Sequence, residues 1–242
     1  MKIAFLGTGA ADWKGVNERG EYRRNTSTRL DDALLIDVNQ TVLDQIKDPE
    51  KITDVFFTHS HEDHFSLAAL QSLAPCRVYA HESWAGEIAG EGLKVIPLKI
   101  GEWVQAGEFS VLPMPANHST QNPVERPLHY LLKKEEKTIL YATDGAWLLN
   151  EEHHLIGKRV LSAAIFDATI GDDFPGDFRI FEHNSIMMVR LMVETMKKTG
   201  RLAENAPVYL THFARTLHPG QKELAAQAAP FLPAWDGMIA SI

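Results

Sequence analysis

The sequence predicts a layered α/β fold, two sheets covered by helices, and three observations predict it. Short apolar runs rich in β-branched and aromatic residues recur along the 242-residue chain. A few segments of helical spacing lie between them, and no repeat, low-complexity tract or linker-like break divides the chain. Strands are expected at residues 3–6, 33–36, 55–58, 77–80, 109–113, 129–133, 138–142, 163–167 and 208–211. "LHYLLKKEEKTILYATD" reads as a hairpin, two apolar runs around a charged turn at 133–137. Helices are expected at 66–73, at 221–229 and over "SIMMVRLMVETMKKTG", where Ile186, Val189, Val193 and Met196 repeat at helical spacing. Asn184 or Ser185 caps that last helix and Gly200 ends it. The expectation is one domain over residues 1–242.

Composition narrows the function. A formal net charge of -8 gives no general attraction to a nucleic-acid backbone or an anionic membrane, so a long polyanion is not the expected partner. Cys76 is the only cysteine, which excludes an internal disulfide and a thiolate-rich zinc cluster and fits a reducing compartment. The start, "MKIAFLGTGAADWKG", has too short an apolar run for a signal peptide. No run approaches the roughly 18 apolar residues of a membrane span. A soluble cytoplasmic protein is expected, and a homo-oligomer is compatible with this composition.

The chemistry concentrates at "FFTHSHEDHF", where His59, His61, Glu62, Asp63 and His64 follow the apolar run Val55-Phe56-Phe57. Imidazoles at His59 and His61, two apart in an extended stretch, point to one side and can share a metal ion. Asp63 and His64 are offset where the chain turns into the next helix, and would serve a neighbouring ion. His118, Asp144, Asp167 and His212 also follow apolar strands, the pattern of a site assembled from distant segments at one sheet edge. A carboxylate can link metals roughly 3.5 to 4 Å apart, and Asp144 is the candidate. His81, His129, His153, His154 and His218 are read as ordinary core or surface residues.

With these motifs the sequence resembles the metallo-β-lactamase fold superfamily of metal-dependent hydrolases, whose His-x-His-x-Asp-His signature matches His59, His61, Asp63 and His64. "FLGTGAA", "YRRNTSTRL", "ALLID", "YATD" and "LTHF" fall in the family's order, so the resemblance covers nearly the whole chain. It implies a four-layer αββα sandwich, and two divalent metal ions, Zn2+ or Mn2+. One would be held by His59, His61 and His118, the other by Asp63, His64 and His212, with Asp144 bridging. Asp37, after "ALLI", matches an acidic position that supports the ligand loops by hydrogen bonding.

Within the superfamily the chain is similar to the branch containing ribonuclease Z and the PhnP-like cyclic phosphodiesterases. "EHNSI" places His183 where those enzymes carry a histidine that assists the leaving group. The implied catalytic groups are His183 and Asp63, the latter doubling as a ligand. "YATD" argues against a zinc β-lactamase, which typically lacks the bridging aspartate. The short interval between His118 and Asp144 leaves no room for a transfer-RNA-gripping arm, and one cysteine cannot build the extra zinc site of some PhnP-like enzymes.

The expected activity is hydrolysis of a small anionic phosphodiester, cyclic ones included, by a hydroxide held between two metals. The alternatives are a carboxylic ester, thioester or lactone hydrolase on the same site, and a non-catalytic metal or ligand carrier. Arg23, Arg24, Arg126 and Arg215 are of the type that steers or clamps phosphate, but most arginines are solvated surface residues and none of the four is assigned to the site.

Overall fold

Side chains that alternate between two apolar layers organise the computed structural model, which describes residues 1–73, 75–89 and 93–242. On each strand one set of side chains faces the other sheet and the next set faces helices, the period of two expected of pleated backbone. The first sheet contains β1 (Lys2–Gly7), β2 (Ser27–Leu30), β3 (Leu34–Ile36), β4 (Asp54–Phe56), β5 (Arg77–His81) and β6 (Lys94–Leu98) in that spatial order. The second runs from β7 (Val104–Ala106) through β8 (Phe109–Pro115), β9 (Leu128–Lys134), β10 (Lys137–Ala142), β11 (Ala163–Asp167) and β12 (Val208–Thr211) to β13 (Leu232–Pro233). The last strand, β14 (Met238–Ser241), returns to pair antiparallel with β1.

Phe56, Tyr79, Tyr130, Ile139, Tyr141 and Ile165 meet between the sheets. Their neighbours Val55 and Val78 face helices α1 (Leu67–Gln71) and α2 (Ala85–Ile88). Leu140, Ala164 and Phe166 face α3 (Asn150–Ile156), α4 (Ile186–Lys198) and α5 (Gln221–Ala228). Helix, sheet, sheet and helix thus stack in the expected αββα order. The amphipathic stripe of α4 buries Ile186, Val189, Val193 and Met196 as its spacing requires. Ser185, not Asn184, caps it, accepting from the Met188 backbone N–H, and Gly200 follows its end at φ 67°.

Strand direction decides where the chemistry goes. β3, β4, β5 and β6 are parallel, as are β10, β11, β12 and β13, so their C-terminal ends lie along one edge of each sheet. Asp37 and Thr58 leave the ends of β3 and β4, while Asp144, Asp167 and His212 leave or terminate β10, β11 and β12. The two sheets are tied directly beneath: Tyr130 donates its hydroxyl to the Phe57 carbonyl, and the Leu128 N–H donates to Thr58 O at 2.9 Å.

Several elements escape the sequence pattern. β2, "STRL", is wholly buried despite its polar residues, so it lacks the apolar signal of a core strand. β6, β7, β13 and β14 and helices α2 and α3 are likewise absent from the expectation, most of them being short pieces. The helix expected at 66–73 shrinks to Leu67–Gln71 because Ser66 caps its start and Ser72 its end. Among the described residues, no helix is long and apolar enough to cross a membrane.

Candidate metal centre

Six histidines and two carboxylates that the sequence distributes from position 59 to position 212 converge on one carboxylate, that of Asp144. Its Oδ2 lies 3.2 Å from His59 Nε2, 3.0 Å from His64 Nε2 and 3.6 Å from His212 Nε2. Its Oδ1 lies 3.1 Å from His183 Nδ1 and 3.5 Å from His118 Nδ1. Donor atoms of His59, His61, His118 and Asp144 all fall within 4.8 Å of one another, and so do those of Asp63, His64, Asp144 and His212. A third group with the same spacing joins Asp144, Asp167, His183 and His212. Every expected ligand is therefore in one cluster, with His183 beside it.

The residues fit metal ions because two of their donor atoms are buried without a hydrogen-bond partner. His59 Nε2 and Asp144 Oδ1 are buried and accept or donate no hydrogen bond, although each has polar neighbours. His64 Nε2 faces His212 Nε2 at 3.3 Å, and His61 Nδ1 faces His118 Nε2 at the same distance. Ring nitrogens brought face to face are suited to a shared cation, and a set of imidazoles and carboxylates without thiolate suits zinc or manganese.

A second ring of residues fixes which nitrogen is free. Asp37, fully buried, accepts from the Thr58 N–H and the Thr58 hydroxyl, both at 2.8 Å, and from His64 Nδ1 at 2.7 Å. Having donated its proton to Asp37, the Thr58 hydroxyl accepts from His59 Nδ1 at 3.0 Å. Both rings thereby turn Nε2 inward, the arrangement that orients metal-binding histidines. His212 Nδ1 is held in the same way by Thr169 Oγ1 at 2.8 Å and Asp167 Oδ2 at 3.2 Å, and His118 Nδ1 by the Glu182 carbonyl at 3.4 Å. The "HSHEDH" turn is pinned by Glu125, which accepts from Ser60 N at 2.8 Å and Ser60 Oγ at 2.6 Å, and by Asn39, whose Nδ2 donates to Asp63 O at 2.8 Å.

Backbone strain collects here as well. Asp37 (φ 60°), Asp144 (φ 62°) and His212 (φ 60°) all adopt the left-handed conformation that side chains disfavour.

Charge is balanced inside the cluster. Burial opposes charge on His64, yet Asp63 and Asp37 raise its pKa well above the usual histidine value. Burial likewise opposes charge on His183, and Asp144 and Asp167 overcome it, raising its pKa well above normal. His212 is pushed up to about 9, with burial again opposed by Asp144 and Asp167. Asp144 would be driven up by burial, but His118, His212 and His183 hold it well below the carboxylate range. Burial lowers His59 and His118. Without metal the carboxylates thus retain protons on several imidazoles, protons that metal binding must release.

Some participants were not visible as such in the sequence. Asp167, noted there only for its place at a strand end, is buried and binds both His212 and His183, while its Oδ1 accepts from Asn184 N at 3.0 Å and Thr169 N at 2.9 Å. Asn184 is a brace and not a cap: its Nδ2 donates to Gly145 O at 2.8 Å and its Oδ1 accepts from Trp147 N at 2.9 Å, gripping the Asp144 loop. The four arginines considered for phosphate lie elsewhere. Arg23 is buried on Thr8 Oγ1 and Ala234 O, Arg24 pairs with Asp44 and Asp236, and Arg215 donates to Val16 O. Arg126 is exposed at the surface. None of these four lines the cavity over the cluster, about 240 Å³, whereas Arg179 does, beside Asp12 and Glu182.

The remaining histidines lie outside the cluster. His129 is a core residue whose Nδ1 lies 2.7 Å from Glu152 Oε1 and whose ring fills the space beside Gly145, where a Cβ would come within 2.7 Å of it. His81 bonds Ser83, and His153 and His154 are exposed on α3. His218 is buried, its Nε2 donating to the Thr169 carbonyl at 2.9 Å, and burial lowers its pKa to about 4.

That last value makes a stability prediction. Folded His218 binds fewer protons than the unfolded chain between its folded pKa, about 4, and the ordinary histidine value of about 6.5. Its contribution is complete above the unfolded value and is lost as pH falls through the folded one, a change of about 3 kcal/mol. Denaturant unfolding of metal-free protein at neutral and acidic pH should show a smaller acid loss in His218→Gln than in the parent. Equal losses would assign the acid sensitivity to other groups.

The family is read from residues 32–213, which match the model described as a beta-lactamase superfamily domain. No curated protein matches the sequence. Among solved structures, the metallo-β-lactamase fold protein YhfI from Bacillus subtilis superposes with a TM-score of 0.74 at 16% identity, covering 99% of both chains. A diphosphatase of the PhnP family gives 0.71 at 18% identity, covering 99% of this chain and 97% of that one. The short form of human tRNase Z gives 0.70 at 18% identity, covering 100% and 99%. At such identities these likenesses establish the fold, and with the match over residues 32–213 they show that the chain belongs to the beta-lactamase superfamily and has the metallo-β-lactamase fold of metal-dependent hydrolases.

Proposed function

We propose that the protein is a dinuclear metal-dependent hydrolase of small phosphodiesters, cyclic ones included. The observation that carries this reading is the position of Asp144 between two donor sets, with His183 against the same carboxylate. His59, His61 and His118 would hold one ion, Asp63, His64 and His212 the other, and Asp144 both. When bound, two such ions supply Lewis acidity that brings the pKa of water to roughly 7 and offsets charge on phosphate oxygens.

The chain's own residues do the rest. Asp167 and Thr169 hold His183 Nδ1 at 3.0 and 3.2 Å, so Nε2 is the atom left to pass a proton to a departing alkoxide. Arg179, whose guanidinium is steadied by Asp177 at 2.8 Å and lies 3.7 Å from Asp12, supplies positive charge at the cavity wall. The cavity volume, about 240 Å³, suits a small substrate. Residues 119–143 are taken up by a loop and the β9–β10 hairpin, and the net charge is -8, which together favour small diesters over long RNA. Two of the similar structures bear names that denote phosphorus substrates, a tRNase and a diphosphatase.

Reconstitution with zinc or manganese followed by elemental analysis is expected to give close to two ions per chain. The loaded protein should turn over bis-p-nitrophenyl phosphate and a 2',3'-cyclic nucleotide in preference to a thioester, a lactone or a transfer RNA precursor. Zero bound metal would sink the reading entirely. Preference for the thioester or lactone would reassign the bond, efficient precursor maturation would reassign the substrate size, and no turnover with two ions bound would make the protein a carrier.

A further inference from the structure

We infer that the site extends into a neighbouring cleft that receives a planar aromatic substituent of the substrate, with Tyr22 and Trp13 as its walls. The inference rests on the phosphodiester reading for the reacting group and goes beyond it for the rest of the molecule. The cavity over the donor cluster adjoins a second cleft of about 480 Å³, and Ala11 and Asp63 line both. A substrate anchored at the donors therefore enters the second cleft by passing Asp63.

What the second cleft offers is ring surface. Trp13 is 5% exposed and fixed: its indole N–H donates to Phe213 O at 2.7 Å, and it packs on Gly9, where a Cβ would come within 2.5 Å of Trp13 Cδ1. Tyr22 is 42% exposed and stands perpendicular to Trp13, with ring centroids 6.5 Å apart at 86°. Trp13 thus braces Tyr22 from below, and the exposed Tyr22 ring is the surface that suits a further ring in stacked or edge-to-face contact. Two polar groups of the lining are already occupied, since Asn25 Nδ2 donates to Ala10 O and the Thr41 hydroxyl to Asn39 Oδ1. Lys14 and Glu62, both exposed on the rim, carry offsetting charges. The lining thus favours an uncharged ring over a polyol or a second anion. The Phe213 contact also ties the wall to the ligand segment, because Phe213 directly follows His212.

The test uses two inert anions of equal charge, benzylphosphonate and methylphosphonate, titrated calorimetrically into the metal-loaded protein. Benzylphosphonate should bind more tightly, and Tyr22→Ala should weaken it by roughly 5- to 10-fold, the scale of an aromatic pair, while leaving methylphosphonate unchanged. Tyr22→Phe should keep the preference. Equal affinities in the parent, or an equal loss of both ligands in Tyr22→Ala, would overturn the cleft assignment. Benzyl preference without diester turnover would sink the hydrolytic reading and keep the cleft, and turnover without the preference would do the reverse. If neither phosphonate binds, both fail.

Discussion

Asp144→Asn is expected to lower metal occupancy and to cost at least roughly 10³-fold in turnover, since metal-assisted charge stabilisation is worth several kcal/mol and each 1.36 kcal/mol is a factor of ten. Asparagine keeps the shape and tolerates the left-handed backbone at φ 62°, so the change isolates the lost charge. That charge lies within 3.0 to 3.6 Å of nitrogens from His59, His64, His118, His183 and His212. Without it both donor sets lose their common member, and two cations held close together there would lose the carboxylate between them. Elemental analysis and turnover of bis-p-nitrophenyl phosphate on the same preparation check the result. Full occupancy with full activity would show that the two sets act without a bridge.

His183→Ala should separate proton donation from metal binding. If His183 is the acid, the variant keeps its metal and lowers kcat by roughly 10²- to 10⁴-fold on a substrate with an alkoxide leaving group. The loss should shrink for p-nitrophenolate, which departs with little need of a proton. His212→Ala, by contrast, should lose both metal and turnover. The comparison matters because the structure places His183 in a third donor group with Asp144, Asp167 and His212. Metal loss in His183→Ala would make it a ligand, and equal kcat losses on both substrates would make it a phosphate contact.

The residues legible in the sequence are those whose position is announced by their own strand. His59, His118, Asp144 and His212 each follow an apolar run, and strand direction does the rest by bringing those ends to one edge. Asp37 is legible for the same reason. The braces are different: Glu125 meets Ser60 across 65 positions, and Asn184 meets Gly145 across 39. Each sits in a loop far along the chain from its partner, and nothing nearby shows that the two will be buried against one another. Asp167 had the strand-end position but no metal-binding neighbours in the chain to suggest that it serves two histidines. The choice between Arg179 and the other arginines likewise depends on how the loop after β11 folds back over the donors. In β2 the failure has another cause, since buried Ser27, Thr28 and Arg29 remove the hydrophobic contrast on which the pattern depends.

The left-handed backbone at Asp37, Asp144 and His212 bears on how the protein can change over generations. Such a conformation costs of order 1 to 3 kcal/mol at each residue, and glycine would relieve much of it. At Asp144 a glycine would also remove the carboxylate that offsets charge on His183 and His212. Relief of backbone strain there therefore comes only with loss of that charge balance, so the strained backbone and the buried imidazoles constrain each other's replacement.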